Sequence, residues 1–249
     1  MKAWVYRIGW TAPFLLLLAA QPAFAQSLTL DMGGDGGSST GHIVQLLMLL
    51  TVLSLAPAIL ITVTSFTRIV VVLSFLRNAL GTQSTPPNIV MVSLALFLTG
   101  FVMAPTLQTS YDNGIAPLIA DKITEQQAFD RTAAPIHDFM MNHVRTEDLD
   151  LFAGMAKVDT KATDAKDIPL RVVVPAFMIS ELRRAFEIGF LLFLPFLIID
   201  IVVASILMSM GMMMLPPVTI SLPFKLIFFV LVDGWYLVAG SLVQSFGVG

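Results

Sequence analysis

The chain has 249 residues, of which 56% are hydrophobic and only 12% are charged. A soluble domain has about 25% charged residues, so this composition excludes an ordinary soluble enzyme and favours a membrane protein with several spans. The net charge of −3 offers no basic surface for nucleic acid. Because the sequence contains no cysteine, disulfides, thiolate catalysis and zinc–thiolate sites are also excluded.

Residues 1–25 have the pattern of a cleavable signal peptide. A positively charged start is followed by a short apolar core with four consecutive leucines, and Ala23-Phe24-Ala25 forms a small-x-small cleavage site. We predict cleavage after Ala25. The alternative is a first transmembrane helix, but the apolar core is short for a span and Pro22 follows it. Residues 26–42 are then a flexible glycine-rich linker outside the cytoplasm.

Four apolar stretches follow, and each is close to the length with which a helix crosses a hydrocarbon core. They cover residues 43–64, 89–107, 188–208 and 220–243. Helices are expected because these stretches lack the alternation of an outer-membrane strand. The sequence therefore predicts an all-α membrane protein with two long helical hairpins, at residues 43–107 and 183–246.

The first stretch does not end cleanly. A cluster of threonine and serine residues at 62–67 leads into a second apolar run at 69–76. Either one helix longer than the bilayer continues to Leu80, or two helices break at the cluster. Arg68 and Arg77 are the charges of this connection, so the positive-inside rule places it in the cytoplasm.

Residues 108–182, between the two hairpins, are then expected to be a small helical extracytoplasmic segment. Apolar residues recur at helical spacing from Ile136 to Phe152, which predicts at least one amphipathic helix. His137 and His143 are six residues apart and do not share a helix face. We therefore expect them at the surface and not at a metal site.

Charged residues also mark the start of the second hairpin. Arg183 and Glu187 are four residues apart, and Glu181 and Arg184 are three apart. Both spacings suit ion pairs within one helix. A solvated helix end with local ion pairs is the simplest interpretation.

Asp200 and Lys225 lie inside the third and fourth apolar stretches, where a charge is costly. Asp200 is thirteen residues before Met213, near the middle of the connection, and Lys225 is twelve residues after it. An antiparallel hairpin therefore brings both to the same depth. Two interpretations stay open: a structural pair that spares each charge an uncompensated burial, or the ion path of a small ion-coupled transporter.

An intramembrane aspartyl protease would need Asp200 to face Asp233. The same count places Asp233 seven residues further from the turn, which is about 10 Å along a helix. The sequence also has no Gly-x-Ser-x-Gly and no His-Glu-x-x-His motif. We do not expect an enzyme.

Five methionines occur within seven residues of this connection: Met208, Met210, Met212, Met213 and Met214. Methionine is flexible and polarizable and fills irregular gaps. One interpretation is a flexible turn packed with soft side chains. The other is a compliant apolar ring, formed by several copies, that seals a pore against ions and yields to a passing chain.

A set of short blocks carries a family pattern: residues 53–60, 64–68, 76–83, 85–88, 180–182, 195–200, 212–217, 220–225 and 233–235. These blocks resemble the FliP family of flagellar type III export-gate proteins. The resemblance covers about residues 43–246 and is weakest at 108–170, from which nothing is carried over. The signal peptide favours the flagellar branch over the related virulence-secretion proteins.

The resemblance implies a protein-export channel subunit without a cofactor, located in the bacterial inner membrane at the flagellar basal body. About five copies would assemble with FliQ, FliR and other export-apparatus proteins into a helical export gate, through which unfolded flagellar proteins pass. The helices of such a gate are partly raised out of the bilayer. The transporter alternative is weaker because the two hairpins do not repeat each other in sequence.

A methionine gasket is a further implication of the resemblance, which places it at Met212, Met213 and Met214. Met210 is a weaker candidate for the gasket. We expect Met208 to pack inside the hairpin.

Overall fold

The structure is a computed structural model that describes residues 39–82, 84–160, 162–212 and 214–247. The predicted signal peptide, its cleavage site at Ala25 and most of the glycine-rich linker lie outside the described residues. The chain divides into two compact units, Met1–Val52 and Leu53–Gly249. The first unit contains the described helical residues 39–52, and the second unit contains everything that follows.

All regular secondary structure of the described residues is helical, which confirms the all-α fold. Two irregular elements occur: a π-helix at Tyr111–Ile115 and a 3₁₀ turn at Ala165–Asp167. The α-helices are α1 (Ser39–Val63), α2 (Phe66–Leu80), α3 (Asn88–Ser110), α4 (Ala116–Ile119), α5 (Glu125–His143), α6 (Thr146–Ala156), α7 (Leu170–Ser209), α8 (Pro217–Leu231) and α9 (Gly234–Gln244).

By length and hydropathy, two continuous helical segments could cross a membrane: Asn88–Ile119, with 32 residues, and Leu170–Ser209, with 40. The count rises to four if each of two bent helix pairs is one span, namely Leu46–Leu55 with Pro57–Val63 and Pro217–Leu231 with Gly234–Gln244. This range agrees with the predicted membrane protein of four apolar stretches.

The first apolar stretch ends at Val63, and a new helix begins at Phe66. The sequence left two alternatives open here, and the break at the threonine and serine cluster is the correct one. The Thr64 hydroxyl donates to the carbonyl of Leu60 at 2.7 Å and accepts from the Phe66 N–H at 3.4 Å. One side chain thus bonds backbone groups of both helix ends that lack intrahelical partners.

Helix α2 is the centre of the core and contacts α3, α7 and α8. Its buried residues Ile69, Val72, Leu76 and Ala79 recur every three or four positions, as expected for one face of a packed helix. The strongest packing is against α7.

Helices α2 and α7 run in the same direction. Arg68 contacts Glu181, and about two turns further along both helices Phe75 lies against Gly189. A Cβ atom added at Gly189 would lie 2.6 Å from the Phe75 ring. Only a residue without a side chain therefore permits this close approach.

Two predicted spans differ from the helices of the structure. The third, expected from residue 188, belongs to α7, which already begins at Leu170; where the membrane boundary falls along α7 stays a prediction. The fourth is broken into α8 and α9, which are bent by 63°. Asp233 lies at this break in the left-handed region, with φ of 51°.

The amphipathic segment at 136–152 consists of two helices, α5 and α6, that break at Val144 and Arg145. The expectation that His137 lies at the surface is wrong, because it is buried and its Nε2 lies 2.8 Å from the carbonyl oxygen of Ile168. His143 is half-buried, and its Nδ1 lies 2.7 Å from the carbonyl oxygen of Phe139. Helical periodicity could not show this, because Ile168 follows His137 by 31 residues.

Candidate functional site

The connection between α7 and α8 carries the methionines and has a defined backbone. Gly211 adopts φ of 75°, and the Met212 N–H donates to the carbonyl of Leu207 at 2.9 Å. This is the glycine-terminated helix end in which a left-handed residue closes the last turn. The Leu215 N–H then donates to the carbonyl of Met212 at 3.3 Å, and Pro217 begins α8. Met212 and Leu215 therefore lie at the tip of the hairpin.

Three of the four candidate gasket methionines are described, and all three are exposed. Met214 is 98% exposed, Met210 65% and Met212 40%; Met213 lies outside the described residues. The expectation that Met208 packs inside the hairpin is wrong, because this side chain is also exposed. The tip thus presents flexible thioether side chains that the chain's own fold does not cover.

Asp200 and Lys225 are brought together at the base of this hairpin. Lys225 Nζ donates to Asp200 Oδ2 at 2.6 Å. The lysine side chain is 3% exposed and the aspartate side chain 22%. Ser221, which the sequence reasoning missed, donates its hydroxyl to Asp200 Oδ1 at 2.5 Å. Its position four residues before Lys225, on the same helix face, was the available signal.

A second ion pair is buried more deeply. Arg68 and Glu181 are 1% and 0% exposed, and two guanidinium nitrogens donate to the two carboxylate oxygens. The third nitrogen donates to the hydroxyl and carbonyl of Ser245, at 2.9 and 3.2 Å. The guanidinium also lies 3.7 Å from the centre of the Phe246 ring. Arg68 therefore joins α2, α7 and the residues after α9.

This pair corrects two expectations. Glu181 pairs with Arg68 and not with Arg184. The interpretation as a solvated helix end with local ion pairs is correct only for Arg183 and Glu187, which form an exposed ion pair at 3.0 Å. Arg68 is a buried core residue on helix α2 and not a charge on an exposed connection; on which side of the membrane α2 lies stays a prediction. The positive-inside argument consequently rests on Arg77 alone.

Burial lowers the pKa of the Arg68 guanidinium, and the charge of Arg184 acts in the same direction. The hydrogen bond and charge of Glu181 raise it. Because arginine is not deprotonated in proteins, Arg68 stays charged. The ion pair is the arrangement that makes its burial tolerable.

The arrangement does not resemble an aspartyl dyad. Among the described residues, Asp200 is bonded to Ser221 and Lys225, whereas Asp233 is exposed at the break between α8 and α9. In the same part of the chain, no group of three or more His, Cys, Asp or Glu side chains could hold a metal ion.

Long apolar helices, charges neutralised in buried pairs and an exposed apolar hairpin tip define an all-α membrane protein. A family model described as the FliP family matches residues 49–242. The chain therefore belongs to the FliP family, and the resemblance found in the sequence is confirmed.

Individual relatives match along most of their length. The chain is 61% identical over 227 residues to the flagellar biosynthetic protein FliP of Caulobacter vibrioides, covering 91% of this chain and 85% of the relative. It is 61% identical over 203 residues to that of Bacillus subtilis, covering 82% and 91%. For Rhizobium meliloti the identity is 52% over 241 residues, covering 94% and 98%. The chain is thus a membrane component of flagellum biogenesis and flagellar protein export.

Proposed function

We propose that the chain is a core, non-enzymatic subunit of the flagellar type III export gate, located in the bacterial inner membrane at the basal body. About five copies would form a helical export gate with FliQ and FliR and with other export-apparatus proteins. Unfolded flagellar proteins would pass through this gate. The methionines at 210 and 212–214 would be the gasket that seals it.

The observation that carries the proposal is the exposed hairpin beyond Asp200 and Lys225. Helix α7 continues nine residues past Asp200, to Ser209, and α8 begins eight residues before Lys225, at Pro217, so each arm has roughly 12–14 Å of helix beyond the ion pair. Apolar side chains of both arms are exposed along this length, including Ile206 and Val218. Apolar surface of this extent is typical of a contact with lipid or protein.

The tip differs in chemistry from the arms. Branched residues dominate the arms, whereas the tip presents methionines, which adapt to irregular surfaces without a unique geometry. A narrow apolar constriction excludes ions by dewetting. A ring of methionine tips would combine this seal with enough compliance for side chains of many shapes to pass.

The transporter alternative has less support. Lys225 is almost completely buried and its ammonium is bonded to Asp200 and to a backbone carbonyl, so this residue has little access to water for proton exchange. The pair therefore has the properties of a structural contact. The described residues around it contain no chain of ionisable groups of the kind that proton pumps use.

The test is a triple replacement of Met212, Met213 and Met214. The alanine variant removes bulk from every copy, so we expect assembled gates to leak small ions. The leucine variant keeps apolar bulk but is branched and less adaptable, so we expect it to stay sealed and secrete flagellar substrate more slowly. Ion conductance and secretion are measured on the same strains.

Met155 supplies the matched control. It is 69% exposed on α6, far along the chain from the hairpin, so its alanine variant should neither leak nor slow secretion. Tight sealing of the triple alanine variant, with assembly verified by native mass measurement, would refute the gasket.

A further inference from the structure

Lys225 contacts more than its acidic partner. Its ammonium also donates to the carbonyl of Ala79 at 3.1 Å, in the last turn of α2. Carbonyls of a last turn lack intrahelical partners, and the negative end of the helix dipole attracts a cation. Gly81 ends α2 with φ of 78°, and a Cβ atom added there would lie 3.9 Å from Lys225 Nζ. The lysine therefore caps α2 from the base of the hairpin.

Ser221 determines how Asp200 is held. It is completely buried, and its hydroxyl oxygen lies 2.5 Å from Asp200 Oδ1 and 3.1 Å from the carbonyl oxygen of Val218. Lys225, one turn later on α8, bonds the other carboxylate oxygen, Oδ2. Because each oxygen of the Asp200 carboxylate has one of these partners, rotation of the carboxylate would break its hydrogen bond with Ser221 or with Lys225.

We infer that Ser221 is a positioning residue that orients Asp200 so that Lys225 can bond this carboxylate and the end of α2 at once. The base of the hairpin is then fixed to α2, and the three helices α2, α7 and α8 move as one body. This inference concerns the geometry of the single subunit and goes beyond the proposed function. If the methionine tip forms the proposed seal, this attachment holds the tip at a constant distance from α2; that consequence rests on the proposed function.

The chain contains no cysteine, so cysteines introduced at Asn78 and Ser209 are the only attachment points for spin labels. Both positions are exposed, one in the last turn of α2 and the other at the end of α7. Double electron–electron resonance on the purified full chain, diluted with unlabelled protein, measures the distribution of distances between α2 and the hairpin.

The decisive comparison is Ser221→Thr against Ser221→Val. The two side chains have the same shape and differ in the hydroxyl group, so any crowding in the buried site affects both. We expect Ser221→Thr to keep a narrow distribution. In Ser221→Val the population of molecules in which the hairpin base is detached from α2 should rise by roughly tenfold or more, because the hydrogen bond to the charged Asp200 carboxylate is lost.

Ser205→Ala is the matched control, because the Ser205 hydroxyl is exposed and bonds the carbonyl of Ile201 in its own helix. It should leave the distribution unchanged. Identical distributions for Ser221→Thr and Ser221→Val, whether narrow or broad, would overturn the inference. The measurement requires no export, so a negative result leaves the proposed gate standing. A leak-free triple alanine variant would likewise leave the positioning role standing.

Discussion

Glu181→Gln removes the negative charge of the buried ion pair and keeps the size of the side chain. The Arg68 guanidinium, 1% exposed, would then be a buried charge without a counter-charge. Its remaining partners are Ser245 and the ring of Phe246, which are neutral. Breaking a buried pair on one side costs about 3–5 kcal/mol of folding free energy, and we expect a loss in this range.

Glu187→Gln is the internal standard for this measurement. Glu187 lies on the same helix, six residues later, and its pair with Arg183 is more than half exposed. Solvent screening limits the contribution of such a pair to about 1 kcal/mol or less. Both variants change the same functional group, so the difference between them isolates burial.

The assay is equilibrium unfolding of the purified protein in mild detergent, followed by the far-ultraviolet circular dichroism of its helices. A double variant, Arg68→Met with Glu181→Met, adds a second criterion. It leaves no buried charge at this site, so it should be more stable than Glu181→Gln, although the contacts with Ser245 are lost. Equal losses for Glu181→Gln and Glu187→Gln would refute the reasoning.

Three further predictions test the packing and the N-terminus. Gly189→Ala should lower the unfolding temperature, because overpacking costs about 1–3 kcal/mol. Gly100→Ala should not lower it, because no neighbour lies within 4 Å of the added Cβ. Equal shifts for the two variants would contradict the close approach of α2 and α7. His137→Ala leaves the carbonyl of Ile168 without its partner, so proteolysis should cut residues 158–169 faster, and an unchanged rate would show that this bond does not hold the segment. N-terminal sequencing should find Gln26 as the first residue of the mature protein, and a protein that begins at the initiator methionine would disprove cleavage.

The sequence predicted the features that depend on local pattern. Apolar runs located the long helices, whereas the threonine and serine cluster left a continuous helix and a break before Phe66 as alternatives. Asp200 and Lys225 could be matched by counting because two antiparallel helices joined by a short turn have little freedom of register. The structure brings these two side chains together.

Long-range partners could not be predicted in this way. Glu181 had a suitable neighbour on its own helix, Arg184, yet it pairs with Arg68, 113 residues away. His137 bonds a carbonyl in a segment without helical periodicity. Periodicity shows which face of a helix is buried, but it does not show which element covers that face.

The two buried pairs lie near opposite ends of one helix, and this explains why charges occur in an apolar core at all. Arg68 is in the first turn of α2 and bonds Glu181, while Ala79, in the last turn, accepts from Lys225. Apolar contacts alone tolerate sliding between parallel helices, because one hydrophobic side chain can replace another. A buried ion pair does not tolerate it, because a displaced charge loses its counter-charge. Two such pairs, about 16 Å apart along α2, therefore fix its register against α7 and α8, and the exposed methionines of the tip lie beyond the second pair.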